Sequence, residues 1–389
     1  MSQGISLQPS RQLRRRYRAE RRFKAYCVGA LLLSIAFLVL FFSDMVRQGH
    51  SAFIQTEIQA EVTYNEDTVK FTNESVDESI APLVSRAFFR SIPRRVDADP
   101  SLMGTTETLW LTATADVDQY RKEYSDRLEP EMQSTLERLE SEGKVSYGFN
   151  KGLFTSGDSK IPSNAGLWSA FVGTFYVMLV VLAVSFPIGV ATAIYLEEFA
   201  PDNRFTQGVE ININNLAAVP SILFGLLGLA IFINFFGVPR SSALAGGLTL
   251  SLMTLPVIII STRAALRAVP QNIRQGAQAV GASRWQAIRD HVLPLSLPGI
   301  LTGTIIGVAQ AMGETAPLLL IGMIAYIPDA PTSMTEAATV LPAQIFTWAG
   351  MPERAYVSLT AAGILVLLSL LITLNATAVI LRNRFERRW

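Results

Sequence analysis

The sequence predicts an α-helical integral membrane protein with six spans and a small mixed α/β domain between the first two spans. Half of its 389 residues are hydrophobic and 17% are charged, whereas a soluble domain carries about 25% charged residues. Six stretches are apolar over the roughly 20 residues that a spanning helix needs. This composition excludes disordered and fibrous classes and argues against a purely soluble enzyme.

The six predicted spans cover residues 25–42, 166–196, 216–236, 242–262, 298–327 and 356–381. A cleaved signal peptide is the alternative interpretation of the first stretch. Its apolar run is longer than a usual signal core, and the residues that follow it, SDMVRQ, offer no small-residue cleavage site. We therefore expect residues 25–42 to be a retained anchor.

Basic residues beside the spans predict the orientation, because cytoplasmic loops are enriched in Lys and Arg. Residues 1–24 carry Arg11, Arg14, Arg15, Arg16, Arg18, Arg21, Arg22 and Lys24. A nucleic-acid-binding tail is the alternative for such a run, but its place before a span favours a role in topology. The loop after span four and the end of the chain contribute Arg263, Arg267, Arg274, Arg284, Arg289, Arg382, Arg384, Arg387 and Arg388. Residues 328–352 contain no Lys or Arg, so both termini, 1–24 and 382–389, are predicted to be cytoplasmic.

The region 43–165 is then extracytoplasmic and long enough for a small folded domain. It holds 21 acidic and 13 basic residues, a net charge of −8, which leaves +9 for the remainder of the chain. Alternating apolar positions from Ile54 to Tyr64 predict a strand. Leu128, Leu136 and Leu139 fall on one face of a predicted helix. No catalytic constellation is present here, which favours a docking or spacer role.

Several kinds of chemistry lack their usual residues in this chain. The sequence contains no G-x-x-x-x-G-K-[ST] phosphate loop, so ATP hydrolysis by that route is excluded. No H-E-x-x-H, paired cysteines or G-x-S-x-G is present. The single Cys27 and the two histidines, His50 and His291, leave little for a metal site. We predict no catalytic and no metal-binding residue, and hence no enzyme.

The loop 270–294 carries the most specific pattern in the sequence. It predicts two short amphipathic helices that meet at Gly281, a natural C-terminal cap. Ser283 and Gln286 form a capping box for the second helix, and Pro294 is expected to end it. Apolar residues define one face of each helix: Ile273, Ala277 and Val280 in the first, and Trp285, Ile288 and Val292 in the second. We expect the pair to lie on the cytoplasmic membrane face. An ordinary interfacial helix pair is the alternative, although it does not explain the spacing.

This loop resembles the E-A-A-x₃-G-x₉-I-x-L-P loop of type I ABC importer permeases. Gln275, Gly276 and Ala277 occupy the E-A-A positions, and the sequence departs from the pattern at Gln275, Gly276 and His291. In that family the loop docks onto a separate ATPase. The resemblance therefore implies that ATP and Mg are bound by a partner chain and that this chain carries no cofactor. The implied coupling residues are Gln275, Gly276, Ala277, Gly281, Ala282, Ser283, Leu293 and Pro294.

Three further strings resemble the PstA family of phosphate importer permeases, although the sister family PstC shares part of the pattern. They are LEEFAPDNRF at 196–205, ININNLAAVPSILFGLLGLAIF at 211–232 and GETAPLLLIG at 313–322. The resemblance implies a type I ABC importer permease core over 166–381 in a bacterial inner membrane. The implied partners are a PstC-like second permease, a PstB-like ATPase dimer and a PstS-like phosphate-binding protein. The insertion 43–165 resembles an extra domain of some PstA-like chains.

Ionisable residues inside spans are candidates for a translocation pathway. Arg263, at the inner end of span four, could supply positive charge to an oxyanion. Glu314, in the GETAP string of span five, could accept the proton of a hydrogenphosphate or pair with an arginine of a partner. Gln310 lies one turn earlier on the same face, and Thr315 follows Glu314. The alternatives are a snorkelling arginine and a structural ion pair.

The function that the sequence predicts is half of the membrane pathway of an ATP-driven phosphate importer. A permease for another oxyanion, such as phosphonate, sulfate or molybdate, is the first alternative, because only resemblance favours phosphate. A membrane-bound sensor is a second alternative, in which the outer domain would bind a ligand. Six spans and the permease loop argue against the sensor.

Overall fold

The computed structural model describes residues 11–385, so residues 1–10 and part of the basic C-terminus, including Arg387 and Arg388, lie outside the described residues. The strands are β1 (Ile54–Thr63), β2 (Thr106–Thr112) and β3 (Val145–Phe149). The helices before the core are α1 (Arg11–Gly49), α2 (Glu66–Lys70), α3 (Arg86–Ala98), α4 (Ala115–Arg121), α5 (Pro130–Ser141) and α6 (Gly152–Thr155). The core helices are α7 (Trp168–Ile194), α8 (Arg204–Ala217), α9 (Ser221–Gly228), α10 (Ala243–Arg267), α11 (Gln271–Ala279), α12 (Arg284–Ala287), α13 (Leu293–Gly313), α14 (Ala316–Leu320), α15 (Leu341–Ala349) and α16 (Ala355–Phe385).

Within residues 11–385, five helices are long and apolar enough to cross a membrane, and a sharply bent helix pair brings the number to six. The five are Arg15–Phe53, Trp168–Phe199, Ala243–Arg267, Arg284–Gly313 and Ala355–Arg384. The prediction of an α-helical membrane protein with a small mixed α/β insertion is confirmed.

The third predicted span, 216–236, is not a straight helix. α8 ends at Ala217, and the chain bends by 104° before Ser221–Phe235 continues. Pro220 explains the break, because the residue before a proline is disfavoured in helical conformation. The two arms contain 14 and 15 residues, so each is roughly 22 Å long and shorter than the ~30 Å hydrocarbon core. Neither arm can span the bilayer alone.

The fifth predicted span, 298–327, has both boundaries wrong. The helix begins at Arg284 and ends at Gly313. Glu314 is extended, with φ −78° and ψ 129°, and a short helix restarts at Ala316. Pro317 lies in the first turn of that short helix, where its missing N–H costs nothing. Gly322, with φ +96°, then terminates the segment that was expected to remain helical.

Small residues bring the core helices close together, as is usual in membrane bundles. α7 and α10 pack so closely that a Cβ on Gly247 would lie 2.4 Å from Cβ of Val180. α10 and α13 run antiparallel, since Gly299 faces Ala265 and Gly303 faces Ser261. These contacts align the two helices residue by residue.

The insertion is built on a three-stranded antiparallel sheet in the order β2-β1-β3. The predicted strand is confirmed: Ile58, Ala60 and Val62 are buried, and their neighbours face outward. Two apolar clusters on the buried face pack the sheet against α3 and α5. α5 contains Leu136 and Leu139 of the predicted helical stripe and has Pro130 in its first turn, whereas Leu128 precedes the helix.

The insertion is attached to the bundle by packing. Leu153, Leu167, Trp348 and Tyr356 belong to one apolar cluster that joins the domain to α15 and α16. The Trp348 indole Nε1–H donates to Asp158 Oδ1 over 3.1 Å, and the Tyr356 hydroxyl donates to the Ser159 carbonyl over 2.7 Å. We call the end of the bundle next to residues 50–167 the insertion end. The opposite end, with residues 195–210 and 268–292, is the loop end.

Replacement of Asp158 by Asn is expected to stabilise this junction at neutral pH. Burial raises the pKa of the Asp158 carboxyl above its ordinary value. Because the folded-state pKa is higher than the unfolded one, the carboxyl favours folding when protonated, and that contribution is lost as pH rises through the folded pKa. The measurement is thermal unfolding in detergent at several pH values, followed by tryptophan fluorescence.

Asp158→Asn should therefore melt at a higher temperature than the wild type at pH 7, with the difference vanishing in acid. Asp116→Asn is the control, because Asp116 is exposed and its replacement should leave the melting temperature unchanged. An Asp158→Asn variant that is less stable than the wild type at pH 7 would contradict the assignment.

Candidate functional site

The two loop helices meet at Gly281 in a well-defined junction. Gly281 has φ +90°, a conformation that residues with a Cβ rarely adopt. The Gly281 N–H donates to the Gln278 carbonyl, and the Ala282 N–H donates to the Ala277 carbonyl. These bonds form the glycine-based cap that closes α11. Ser283 Oγ accepts from the Gln286 N–H over 3.2 Å, and Gln286 Oε1 accepts from the Ser283 N–H over 2.8 Å, so the predicted capping box is confirmed.

Pro294 does not end the second loop helix, contrary to the prediction. The chain continues from α12 through a π-helical turn, Ile288–Val292, directly into α13, whose first residues are Leu293 and Pro294. A proline inside a helix removes one hydrogen bond and crowds the preceding turn. The wider i→i−5 spacing of the π turn accommodates this. The result is a continuous helix of 30 residues, Arg284–Gly313, about 45 Å long.

The apolar faces predicted for the loop helices contain both buried and exposed positions. Ala277, Ile288 and Val292 are buried, but Val280 is 86% exposed and Trp285 is 50% exposed. Val280 is the C-cap residue of α11, where the helix stops and the side chain leaves the packed face. An exposed valine and tryptophan beside a glycine junction offer an apolar surface at the loop end.

The other predicted coupling residues lie on or near this surface. Gln275, Gly276 and Ser283 are exposed, as is Pro294, whereas Ala282 and Leu293 are half-buried. Ala277 is the only buried residue of α11 and anchors that helix. The structure thus brings the predicted coupling residues together at the loop end.

An arginine–glutamate cluster lies beneath this surface. We use that name for six residues: Glu197, Glu198, Glu210, Arg263, Arg267 and Arg274. Arg263 contacts Glu197 through Nε at 3.3 Å and Glu210 through Nη2. Arg267 Nε donates to Glu197 over 2.8 Å, and Arg274 is paired with Glu198. Arg263, which was predicted to supply charge to a pathway, is held by two carboxylates.

The cluster was not predicted as a functional unit from the sequence. Glu197 and Glu198 lie at the end of the second predicted span, before a loop with Asp202 and a single basic residue, Arg204, so they do not fit the basic pattern of cytoplasmic loops. The signal that could have found them is an acidic pair at the end of one span, opposite a loop rich in arginine.

Gln310, Glu314 and Thr315 lie together at the other end of α13. Gln310 is exposed, and Glu314 and Thr315 are half-buried where the helix breaks. Among residues 11–385, the Glu314 carboxylate has no hydrogen-bond or ion-pair partner. Because Gly303 faces Ser261, Arg263 is level with residue 301, about 20 Å along the helix axis from Glu314. The structure does not bring Arg263 together with the other three candidates.

Titratable side chains do not cluster as a metal site in the part of the chain that the structure describes. No group of three or more His, Cys, Asp or Glu residues there could hold a metal ion.

A bundle of spanning helices with an exposed glycine-hinged loop defines a membrane-embedded transport subunit. A family model described as binding-protein-dependent transport system inner membrane component matches residues 185–389. The chain belongs to this family, and it is a permease subunit rather than an enzyme. A second family model, a domain of unknown function (DUF3333), matches residues 10–81 and 69–131.

Curated relatives agree with this assignment. The Phosphate transport system permease protein PstA of Haemophilus influenzae is 31% identical over 57% of this chain and 78% of its own length. The Probable ABC transporter permease protein YqgI of Bacillus subtilis is 31% identical over 43% of this chain, and the match spans 56% of that relative. A solved structure of the inward-facing MetNI methionine ABC transporter has 18% identity and a TM-score of 0.43, and covers 57% of this chain and 95% of that chain. The resemblance to PstA-like permeases is confirmed.

Proposed function

We propose that this chain forms half of the membrane pathway of an ATP-driven phosphate importer. Its partners would be a PstC-like second permease, a PstB-like ATPase dimer that binds ATP and Mg, and a PstS-like phosphate-binding protein. The observation that carries the coupling part is the exposed loop surface around Gly281. Trp285 of that surface lies on the continuous helix Arg284–Gly313, which ends directly before Glu314. The similarity to PstA of Haemophilus influenzae supports phosphate as the substrate.

In the proposed topology, both termini and the loop end face the cytoplasm. Support comes from the basic residues in and beside the loop and in the N-terminal part of α1, since cytoplasmic segments carry an excess of Lys and Arg. The insertion end would then face the extracytoplasmic side, where a binding protein delivers substrate. The ATPase would contact the loop surface from the cytoplasmic side.

Transmission from the ATPase to the pathway would use the continuous helix Arg284–Gly313. The ATPase groove would hold Val280 and Trp285, so closure of the ATPase dimer moves α12. α12 and α13 form one helix. A tilt of about 5° at the loop end of this helix displaces its other end by roughly 4 Å over 45 Å of length. Glu314 follows that other end directly, so access of the substrate to Glu314 changes with the nucleotide state of the ATPase.

Glu314 would discriminate between oxyanions by proton content. A carboxylate accepts a hydrogen bond from the P–OH group of hydrogenphosphate, whereas sulfate carries no proton at neutral pH and is repelled. Gln310 and Thr315 would donate to the remaining oxygens. The broken helix leaves backbone groups free beside the carboxylate, which is tolerated in a bilayer only where a pathway or protein lines them.

The proposed function is tested by uptake of radiolabelled phosphate at micromolar concentration, in cells with and without this chain. The expected result is loss of uptake without the chain and recovery when it is restored, with excess sulfate and molybdate failing to compete. Unchanged uptake in cells that express no other phosphate importer would contradict the proposal. Competition by sulfate or molybdate would point to a different oxyanion.

Glu314→Gln should weaken phosphate uptake and reduce its preference over sulfate. Loss of a hydrogen bond to a charged group corresponds to roughly 10- to 100-fold, while removal of the negative charge lessens the repulsion of sulfate. The measurement is uptake of each labelled anion at equal protein level. Glu61→Gln, at an exposed position on β1, is the control and should keep wild-type selectivity. Unaltered selectivity in Glu314→Gln would remove Glu314 from the pathway.

Gly281→Ala should uncouple the loop without preventing membrane insertion. An L-residue at φ +90° is disfavoured by about 1–2 kcal/mol, so the junction is expected to open and the angle between α11 and α12 to change. The measurement is phosphate transport and ATPase activity of the assembled complex in proteoliposomes.

Gly104→Ala is the matched control, because Gly104 has φ +83° and, like Gly281, open space around a new Cβ. Gly104 lies in the insertion, so this variant carries similar backbone strain with no effect on coupling. Equal transport by the two variants would show that the Gly281 junction has no special role.

A further inference from the structure

We propose that the segment Glu197–Phe199, together with Arg274, is the mechanical joint that makes α7, α10 and both loop helices move as one body. The inference rests on the proposed function, in which the loop receives movement from an ATPase, and it assigns positioning roles to residues inside the bundle.

Arg274 lies at the centre of the joint and uses most of its donors. Its Nε and Nη2 atoms donate to the Glu198 carboxylate, the shortest contact being 2.6 Å. Its Nη1 donates to the Val269 carbonyl over 2.7 Å, and its Nη2 donates to the Leu266 carbonyl over 2.9 Å. Leu266 and Val269 are at and just beyond the C-terminal turn of α10, where carbonyls lack the i+4 partner of a helix interior. The Leu266 carbonyl also accepts from the Val269 N–H over 3.2 Å. One side chain from α11 therefore ties the end of α10 to the end of α7.

The residues on either side of Glu198 make parallel connections. Glu197 accepts hydrogen bonds from Arg263 and Arg267 of α10. The Arg284 guanidinium, at the start of α12, lies 5.5 Å from the centre of the Phe199 ring, a cation–π distance. Three consecutive residues at the end of α7 thus contact α10, α11 and α12. They lie in a π-helical turn, Tyr195–Phe199, a geometry that is frequent at functional sites.

Burial makes the Arg274–Glu198 pair difficult to separate. The side chains are 12% and 6% exposed, so solvent cannot replace either partner without local unfolding. α11 has few other anchors: Ala277 is its only buried residue, and Ile273 is half-buried. Ile273 packs against an apolar cluster of Leu266, Val269 and Val292, which Ile194 at the end of α7 also contacts. A load applied at Val280 or Gly281 therefore passes to α7 and α10 through Arg274 and through this apolar contact, and Arg274 supplies the polar part of the connection.

A structural role alone would lower stability and all activities together, whereas a joint controls the ratio of transport to ATP hydrolysis. The decisive variant is the double replacement Glu198→Leu with Arg274→Met, because exchange of a buried ion pair for apolar residues of similar volume is often neutral or stabilising. It also removes the side-chain donors to the Leu266 and Val269 carbonyls, so thermal unfolding of the complex is measured alongside transport. In the complete complex, we expect this variant to assemble and hydrolyse ATP. Transport per ATP should fall about 5-fold or more, the usual lower range of coupling between sites.

The single variant Glu198→Gln leaves Arg274 without its countercharge, and we expect it to lose both stability and coupling. Glu142→Gln is the matched control, since it removes the exposed ion pair between Glu142 and Lys144 in the insertion and should leave transport per ATP unchanged. Wild-type transport per ATP in the stable double variant would overturn the proposal.

A second measurement separates this inference from the identity of the substrate. Spin labels are attached at Gln278 on α11 and Ile188 on α7, both exposed, after Cys27→Ser removes the exposed native thiol. In the wild-type complex the distance distribution should be narrow and have the same mean with and without ATP. The double variant should give a broad distribution or one that shifts with ATP.

A wild-type distance that shifts with ATP would overturn the joint even if phosphate transport is normal. Conversely, failure of the wild-type complex to import phosphate would refute the proposed substrate, while the distance measurement still decides whether the joint exists.

Discussion

Backbone hydrogen bonding inside a bilayer is the constraint on which the rest of this structure depends. Hydrocarbon provides no partner for an N–H or C=O group, so the chain crosses it as helix. α7, α10 and α13 continue through internal prolines, at Pro187, Pro256 and Pro298; Pro256 is buried, Pro298 is half-buried and Pro187 is exposed. The helix breaks before Ser221 and after Gly313 expose residues on the surface of this chain. Those are the places where water or a second subunit has to satisfy the backbone.

Local widening of a helix into a π-helical turn allows the backbone to remain hydrogen-bonded while the helix continues. Within residues 11–385, π-helical turns lie at Tyr195–Phe199, Leu229–Phe235 and Ile288–Val292. One extra residue in a turn rotates the helix that follows by about 100°. Two of these turns lie at the loop end. There they allow the buried Ile288 and Val292, the exposed Pro294 and the buried Glu198 to occur on adjacent segments.

The sequence predicts what depends on composition and local spacing, and it does so well for this chain. Long apolar runs, the alternation in β1 and the Ser283–Gln286 cap are all local signals. The errors have a different origin. Pro294 was expected to end a helix, but the π turn beside it lets the helix continue. The amphipathic pattern predicts an apolar face for Val280 and Trp285, but it does not distinguish a packed face from a displayed one. The carboxylate partners of Arg263 could not be predicted from the sequence, because they are 53 and 66 positions away in the chain.

The path of the chain at the insertion end has a consequence for how such proteins diversify. Ala52, just after α1, and Leu167, just before α7, belong to the same apolar cluster, so the chain leaves the bundle and returns to it at one place. A whole domain can therefore be gained or lost there without a change in the packing of the spans, much as a loop tolerates insertion. The acidic domain is in this sense structurally separable from the spans that it adjoins.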